Sequence, residues 1–381
     1  MGVAATLTMI ALLGVGGVGV SRASSFGAGA GIHRGPDMPG PTRHERADDR
    51  LDRNDECVTC HADEAAEWAR SLHADAFVDP MFQDAFEREG EMGFCQGCHA
   101  PEADPRHTPD SRRAAIGVGC VSCHLEPGDE AVSAGPRAGG DTGPERAPHA
   151  LRRTPEFSTD QACLGCHEFS APDARRGSDR LMMQRTGTEH RRSGSATQTC
   201  QSCHMPPTAG ERVHRGHGFP ASGEARMLRG AASIDARRVQ ERGPEGELRE
   251  LVVVTLVARG VGHAFPTGDL FRRLAVEVEV EGETGEVWAE VEYLSRHFGS
   301  VRLGSGAVAK IEGEDNRVGI GEGPREVRFE VPASVHGRAL RWRVIYQRAF
   351  GAPQGDEDRA PIWDQTPIES GRLPAIDGPD R

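Results

Sequence analysis

The chain has 381 residues, enough for two or three domains, and a net charge of −13. This acidic balance argues against nucleic acid as a partner and favours basic protein surfaces. Only 37% of the residues are hydrophobic and 5% are aromatic, so side chains alone supply little material for a large core.

Residues 3–20 form an uncharged segment rich in Ala, Val, Leu and Gly, which Ser21-Arg22-Ala23 follows. Small residues on both sides of Arg22 are typical of a cleavage site, so residues 1–23 are predicted to be a signal peptide. The alternative is an uncleaved N-terminal membrane anchor, because the segment is long enough to span a bilayer. Either one predicts an extracytoplasmic protein, in the periplasm. Residues 24–53, rich in Gly, Pro, Arg and Asp, are predicted to be a flexible linker.

The next segment, 54–225, is predicted to be mainly α-helical and irregular. Residues 63–73 predict a helix because acidic residues occupy its first turn. Asp79 and Pro80 predict the start of a second helix, since they suit the N-cap and first helical positions, and Gly90 predicts its end.

All ten cysteines lie in this segment as five C-x-x-C pairs, each followed directly by a histidine. In chain order these first to fifth motifs contain Cys57 and Cys60, Cys95 and Cys98, Cys120 and Cys123, Cys163 and Cys166, and Cys200 and Cys203; their histidines are His61, His99, His124, His167 and His204. C-x-x-C-H is the attachment signature of haem c. The two thiols bond to the porphyrin vinyl groups, and the adjacent imidazole binds the iron from the proximal side. The motifs therefore predict five covalently bound haems.

Zinc sites, thioredoxin-like redox pairs and ordinary disulfides are the alternative interpretations of C-x-x-C pairs. None of them requires a histidine after every pair. With 16 histidines in 381 residues, histidine at all five positions by chance has a probability on the order of 10⁻⁷. Haem attachment is therefore favoured, and porphyrins would also supply the apolar interior that the composition lacks.

From residue 247 the sequence changes to short segments in which apolar and polar residues alternate. They include residues 274–281, 327–331 and 340–346, beside one continuous apolar segment at 251–257. A period of two predicts half-buried strands. Six or seven such strands without cysteine predict an immunoglobulin-like β-sandwich over 247–350. Residues 351–381, rich in proline and acidic residues, are predicted to be a loosely ordered tail.

Several segments resemble multihaem cytochromes related to the tetrahaem electron carrier of nitrification. The similar elements are W-x-x-S-x-H at 67–73, G-V-x-C-x-x-C-H at 116–124, C-H-M-P at 200–206, H-x-F-P at 217–220 and, in relatives with a C-terminal β domain, G-H-x-x-P-T-G at 262–269. The resemblance covers about residues 55–332.

Electron carriers usually fill the sixth position of each iron as well. The predicted helix would carry His73 roughly 15 Å from His61, at about 1.5 Å per residue, so His73 is expected to bind a different haem. The resemblance implies that His73, His149 and His217 are distal ligands. It also implies that His263 reaches a haem from the β domain and so joins the two domains.

Two further histidines compete for these positions. His190 is a candidate because the segment 189–195 echoes the 67–73 element, although the histidine occupies the position of Trp68. His214 competes with His217 for one iron.

The predicted fold is a mainly α-helical, irregular multihaem domain followed by an all-β domain. The predicted function is electron transfer by a pentahaem c-type cytochrome, mostly with two histidines per iron, between extracytoplasmic redox proteins. The alternative is a multihaem reductase or oxidase of a small nitrogen or sulfur compound, with one iron open to substrate. A third interpretation makes the β domain a docking module. No side chain is assigned a catalytic role, whether the chain is an enzyme stays open, and so does its oligomeric state.

Overall fold

The structure is a computed structural model that describes residues 38–43, 46–125, 131–136, 147–170, 182–210, 213–221, 223–282, 288–302, 308–319, 323–350 and 359–376. The predicted signal peptide or anchor, residues 1–23, lies outside these ranges. Within them, no helix has both the length and the apolar character needed to cross a bilayer.

The N-terminal part of the described chain is built from short helices. They are α1 Asp49–Cys60, α2 Ala62–Trp68, α3 Pro80–Arg88, α4 Gly93–His99, α5 Ser111–Ile116, α6 Cys120–His124, α7 Gln161–His167, α8 Thr186–Arg191, α9 Cys200–His204 and α10 Ala225–Gly230. Both cysteines of every C-x-x-C-H motif lie in one short helix, α1, α4, α6, α7 or α9. Residues three apart share a helix face, so both cysteines of a motif can reach the same porphyrin.

The predicted helix at 63–73 is shorter in the structure, because α2 ends at Trp68 and turns lead on to His73. The Ser71 hydroxyl accepts a hydrogen bond from the His73 backbone N–H at 3.2 Å and so stabilises a turn. The prediction for α3 is confirmed. Asp79 caps it by accepting from the Phe82 N–H at 3.0 Å, and Gly90 follows its end in the left-handed conformation.

The strands become long only in the C-terminal part. They are β1 Val132–Ala134, β2 Leu151–Arg153, β3 Glu168–Ser170, β4 Met182–Arg185, β5 Pro207–Thr208, β6 His214–Arg215, β7 Ala232–Arg242, β8 Leu248–Ala258, β9 Arg272–Val280, β10 Ala289–Leu294, β11 Arg296–Arg302, β12 Val308–Asp315, β13 Arg325–Val331, β14 Leu340–Ala349 and β15 Ile362–Leu373.

Two antiparallel sheets form the β domain, with strand orders β13-β8-β7 and β10-β9-β14-β15. One hydrophobic core joins them. The first sheet contributes Leu256 and Phe329 to this core, and the second contributes Val276 and Val344. The alternation predicted from the sequence therefore places apolar side chains between the sheets.

The β domain is larger than predicted at both ends. It begins with β7 at Ala232 rather than near residue 247, and β15 lies within the predicted loose tail. β15 pairs with β14, with Ile368 and Leu373 buried in the shared core. Pro367 obscures this strand in the sequence, but proline is tolerated on an edge strand beside an irregularity, and the β14–β15 register shifts between Val344 and Ile345.

The predicted linker also differs, because α1 begins at Asp49, within 24–53. Arg50 and Leu51 of this helix are buried. The N-terminal domain otherwise has a small side-chain core, in which Phe77, Phe86 and two alanines pack together. Most of its apolar surface faces a cavity instead.

We expect Leu256→Ala to destabilise the β domain by about 2–5 kcal/mol, because it leaves a cavity in the shared core. Leu256 is 0% exposed, whereas the next residue of the strand, Val257, is 43% exposed. Val257→Ala is therefore the matched control, with a change of about 0.5 kcal/mol or less. Urea unfolding followed by circular dichroism measures both, and equal effects would contradict the described core.

Candidate haem sites

A cavity of about 3540 Å³ runs through the N-terminal domain and reaches the β domain. An ordinary small-molecule pocket has a volume of roughly 300–1,000 Å³. All ten cysteines line the cavity, and all ten are free thiols. The space and the available thiols therefore fit several large covalently attached groups.

Eight histidines face each other in four pairs across this cavity. The ring centroids are 6.4 Å apart for His61 and His149, 6.1 Å for His73 and His167, 6.2 Å for His124 and His217, and 6.2 Å for His204 and His263. Each pair joins one motif histidine to one from elsewhere in the chain. With a metal–nitrogen bond of about 2.0 Å and about 1.1 Å from nitrogen to ring centre, two imidazoles on one metal have centroids about 6.2 Å apart. The four separations fit that geometry.

Backbone carbonyls orient most of these rings through Nδ1. The contacts are His124 to Ser133 at 2.9 Å, His149 to Ala150 at 3.3 Å, His204 to Pro220 at 2.7 Å, His217 to Arg215 at 2.7 Å and His263 to Ala264 at 2.9 Å. An Nδ1–H that donates to a carbonyl leaves the lone pair of Nε2 available for a metal. This arrangement is the one that metal-binding histidines ordinarily have.

Burial favours the neutral form of His73, His167, His124 and His263. Desolvation, and then the nearby His167, lowers the pKa of His73 to about 3. Desolvation likewise lowers the pKa of His167 to about 4, and it lowers the pKa values of His124 and His263. Only a neutral imidazole can bind a metal, so these environments suit ligands.

The backbone of His73 is held by the segment before the third motif. Val118 N–H donates to the His73 carbonyl at 2.8 Å, and the Trp68 indole donates to the Val118 carbonyl at 2.8 Å. This approach requires Gly117, because a Cβ there would lie 2.5 Å from the His73 carbonyl oxygen. The W-x-x-S-x-H element therefore positions its histidine through the neighbouring motif.

His99 of the second motif has a different environment. Its Nδ1 contacts the Ala76 carbonyl at 2.6 Å, and the Phe82 ring stacks on its face with centroids 3.8 Å apart. Among the described histidines, none faces His99 at the separation that the four pairs share. A haem at this motif would have one described histidine ligand.

His190 has no ring nitrogen directed into the cavity for a metal. Its Nδ1 lies 2.7 Å from the Gly262 carbonyl oxygen and its Nε2 lies 2.8 Å from that of Gln198. A nitrogen that donates to a carbonyl cannot also give its lone pair to iron. His214, the competitor of His217, directs Nε2 to the Glu67 carboxylate at 3.3 Å. The structure thus pairs His217, and not His190 or His214, with a motif histidine.

The loop at 262–269 carries His263 from the β domain to the cavity, and α8 holds it there. The buried Glu189 carboxylate accepts hydrogen bonds from Thr267 Oγ1 at 2.7 Å and from the Ala264 N–H at 3.3 Å. Arg317, next to the end of β12, pairs with the same carboxylate. Sequence reasoning missed Glu189 because its role depends on contacts that are distant along the chain.

A second buried carboxylate holds the third motif against α1. Glu102 pairs with Arg46 and Arg50, and it accepts a hydrogen bond at 2.9 Å from Ser122, between the motif cysteines. Desolvation raises the pKa of Glu102, but the Arg50 hydrogen bond and the charges of both arginines outweigh it, so the net pKa is lowered. The carboxylate is therefore charged and paired.

Comparisons with known proteins find similarity to cytochromes. Residues 56–125 match the family model described as cytochrome c554 and c-prime. No curated protein matches the chain. The chain is similar to a penta-heme cytochrome c552 from Thermochromatium tepidum, at 22% identity and a TM-score of 0.60, over 86% of this chain and 99% of that chain. At this identity the likeness shows the fold alone. The family-model match spans the first, second and third C-x-x-C-H motifs.

We expect Glu102→Gln to cost about 3–5 kcal/mol at neutral pH, because it leaves buried arginine charge without its partner. The folded-state pKa of Glu102 is lowered, so this stabilisation is present above the ordinary carboxyl pKa and is lost as pH falls through the folded-state value. The difference between wild type and variant should therefore shrink in acid. Urea unfolding at neutral pH and at a pH below the ordinary carboxyl pKa measures this difference in the free energy of unfolding.

The control for that variant is Asp52→Asn, which removes an exposed ion pair with Arg112. Its effect should not exceed about 1 kcal/mol. Equal losses for the two variants, or a Glu102→Gln effect that does not change with pH, would show that Glu102 does not stabilise the fold as an anion.

Proposed function

We propose that the chain is an extracytoplasmic pentahaem c-type cytochrome that relays electrons between redox proteins. The observation that carries this proposal is the set of four facing histidine pairs, each beside a C-x-x-C motif, in one continuous cavity. Each bound haem would supply a one-electron iron couple. The periplasmic location, the N-terminal signal and the relation to the electron carrier of nitrification belong to this proposal.

The residues of the chain have three tasks in this function. The cysteines anchor each porphyrin, and His61, His99, His124, His167 and His204 are the proximal ligands. We assign His149, His217, His73 and His263 as distal ligands of the first, third, fourth and fifth motifs. The buried walls exclude water, which adjusts the potential of each iron.

Contacts between the motif segments support an order for the centres. Arg50 of α1, the helix that contains the first motif, donates to a backbone carbonyl of the third motif at 2.8 Å. A backbone N–H just before the third motif donates to the carbonyl of His73, the partner of the fourth motif, at 2.8 Å. The fourth motif lies near the second, because the Phe94 and Phe169 ring centroids are 5.7 Å apart, and near the fifth, because the Cys200 N–H donates to Asp160 at 2.9 Å. We therefore propose a path from the first motif through the third to the fourth, with the second and fifth centres beside the fourth.

The seven strands of the two packed sheets support an immunoglobulin-like sandwich. One sheet contains the first, second and fifth of these strands, β7, β8 and β13, and the other contains β9, β10, β14 and β15. The chain therefore passes back and forth between the two sheets, as it does in that architecture. In this proposal the β domain places His263 opposite His204 of the fifth motif.

The second motif favours a second candidate function. His99 has an aromatic ring on its face and lacks an opposing imidazole among the described residues. An iron with one histidine ligand can bind a small molecule in its sixth position. This observation favours the reductase or oxidase of a small nitrogen or sulfur compound, with the other four centres supplying or removing electrons.

Full-length protein, produced in a host that attaches haem c, should contain five haems per chain by pyridine haemochrome assay and intact mass. We expect this number because the chain has five attachment motifs and the large cavity has room for several haems. Replacing both cysteines of one motif, Cys163→Ala with Cys166→Ala, should reduce the count to four. Colourless wild-type protein that contains zinc would contradict the proposal.

Carbon monoxide binding to the reduced protein tests the ligand assignment. We expect one molecule per chain in the wild type, at the second motif, and two in His263→Ala, which removes a distal ligand. His190→Ala is the matched control and should still bind one, because His190 contacts backbone carbonyls. Reduced wild-type protein that binds no carbon monoxide would contradict an open sixth position at the second motif. A second molecule bound by His190→Ala but not by His263→Ala would reverse the assignment.

A further inference from the structure

The segment His217-Gly218-Phe219-Pro220 lies beside the histidines of two motifs and the partner histidine of a third. His217 faces His124 of the third motif. The Pro220 carbonyl accepts the hydrogen bond of His204 Nδ1, in the fifth motif, at 2.7 Å. Phe219 lies between these two contacts along the chain and packs against His73, the partner of the fourth motif.

The Phe219 ring touches two imidazoles from different pairs. Its centroid lies 4.4 Å from that of His73, with the rings at 73°, and 5.8 Å from that of His217, at 83°. Edge-to-face arrangements are those that aromatic quadrupoles favour. One half-buried side chain therefore packs against two rings and limits the rotation of both.

The backbone of Phe219 is strained. Its φ is +45°, in the left-handed region, and among the described non-glycine residues only Glu91 shares a positive φ. Glycine would adopt this conformation without strain, yet the chain has phenylalanine at position 219 and glycine at position 218. Strain of this kind persists where the surroundings determine the conformation. The ring contacts of Phe219 are such surroundings.

We infer that Phe219 is a positioning residue that orients His73 and His217 and excludes water from both, and so sets the potentials of the third and fourth centres together. The inference rests on the proposed haem ligation. It deepens that proposal, because these two centres are consecutive in the proposed path. The groups that contact a ligand, and the burial of that ligand, adjust the reduction potential of a metal centre.

Phe219→Ala should lower the midpoint potentials of two centres, because admitted water stabilises the more highly charged ferric state. We expect the reduction equilibrium constant of each to fall about threefold to tenfold, which is roughly 30–59 mV for a one-electron couple. Spectroelectrochemical titration of the full-length holoprotein measures the potentials. The low-spin ferric EPR signals that disappear in His73→Ala and in His217→Ala identify the two centres.

Two further substitutions distinguish the effect of the aromatic ring from the effect of its volume. Phe219→Leu keeps apolar volume without a flat ring, so it should alter both EPR signals while shifting the potentials less. Phe219→Tyr keeps the ring, so both EPR signals should stay as they are in the wild type. If Phe219→Ala does not fold, these two variants still test the inference.

Phe157→Ala is the matched control, because among the described histidine rings Phe157 packs only against that of His124, with centroids 5.1 Å apart. It should shift only the third-motif centre. A Phe219→Ala variant that changes one centre, none, or every centre equally would overturn the inference. A wild-type protein without low-spin bis-imidazole signals would instead overturn the proposed function, so the two failures are distinguishable.

Discussion

A neutral imidazole can give a metal only the nitrogen that carries no proton, so the partner of its other nitrogen determines whether a histidine can be a ligand. In the pairs His124–His217 and His204–His263, all four Nδ1 atoms face backbone carbonyls. Carbonyl positions depend on the path of the main chain. The short strands β1 and β6, the segment at Pro220 and the loop at 262–269 are therefore the means by which the chain directs Nε2 atoms across the cavity.

The two domains divide the apolar residues unequally. Valine and leucine are concentrated between the β sheets, whereas the N-terminal domain has one small aromatic core and a large cavity. This division explains how a chain with 37% hydrophobic residues forms one well-packed domain. In the proposed function, bound haems fill the interior of the other domain, because burial of its side chains alone cannot offset the entropy of ordering it.

The attachment motifs could be predicted from the sequence because their chemistry is local: two thiols and an imidazole within five residues. The strands β9, β13 and β14 could be predicted because their alternation is regular. Which histidines face each other could not be, since the pairing of His61 with His149 depends on the three-dimensional path between them. His190 illustrates the limit. Its surrounding sequence echoes a ligand element, yet both of its nitrogens contact carbonyls that only the folded chain brings near.

The strand β15 shows a second limit, because its glycine and proline are typical of a loop. Gly371 is instead a packing position, where a Cβ would lie 2.6 Å from the Trp342 indole nitrogen. The indole lies against the bare backbone of the neighbouring strand. A single sequence cannot distinguish a glycine needed for such contact from one needed for a turn.

The loop with His263 precedes β9 to β15 in the chain, although its position depends on Arg317 beyond β12 and on the sheets behind it. Thioether attachment at the fifth motif needs only residues 200–204. In the proposed ligation, haem attachment and the placement of His263 at the fifth centre would be separate stages of biogenesis, and the later one would wait for synthesis and folding of the C-terminal third. The colour of the fifth centre would then record whether that third of the protein has matured.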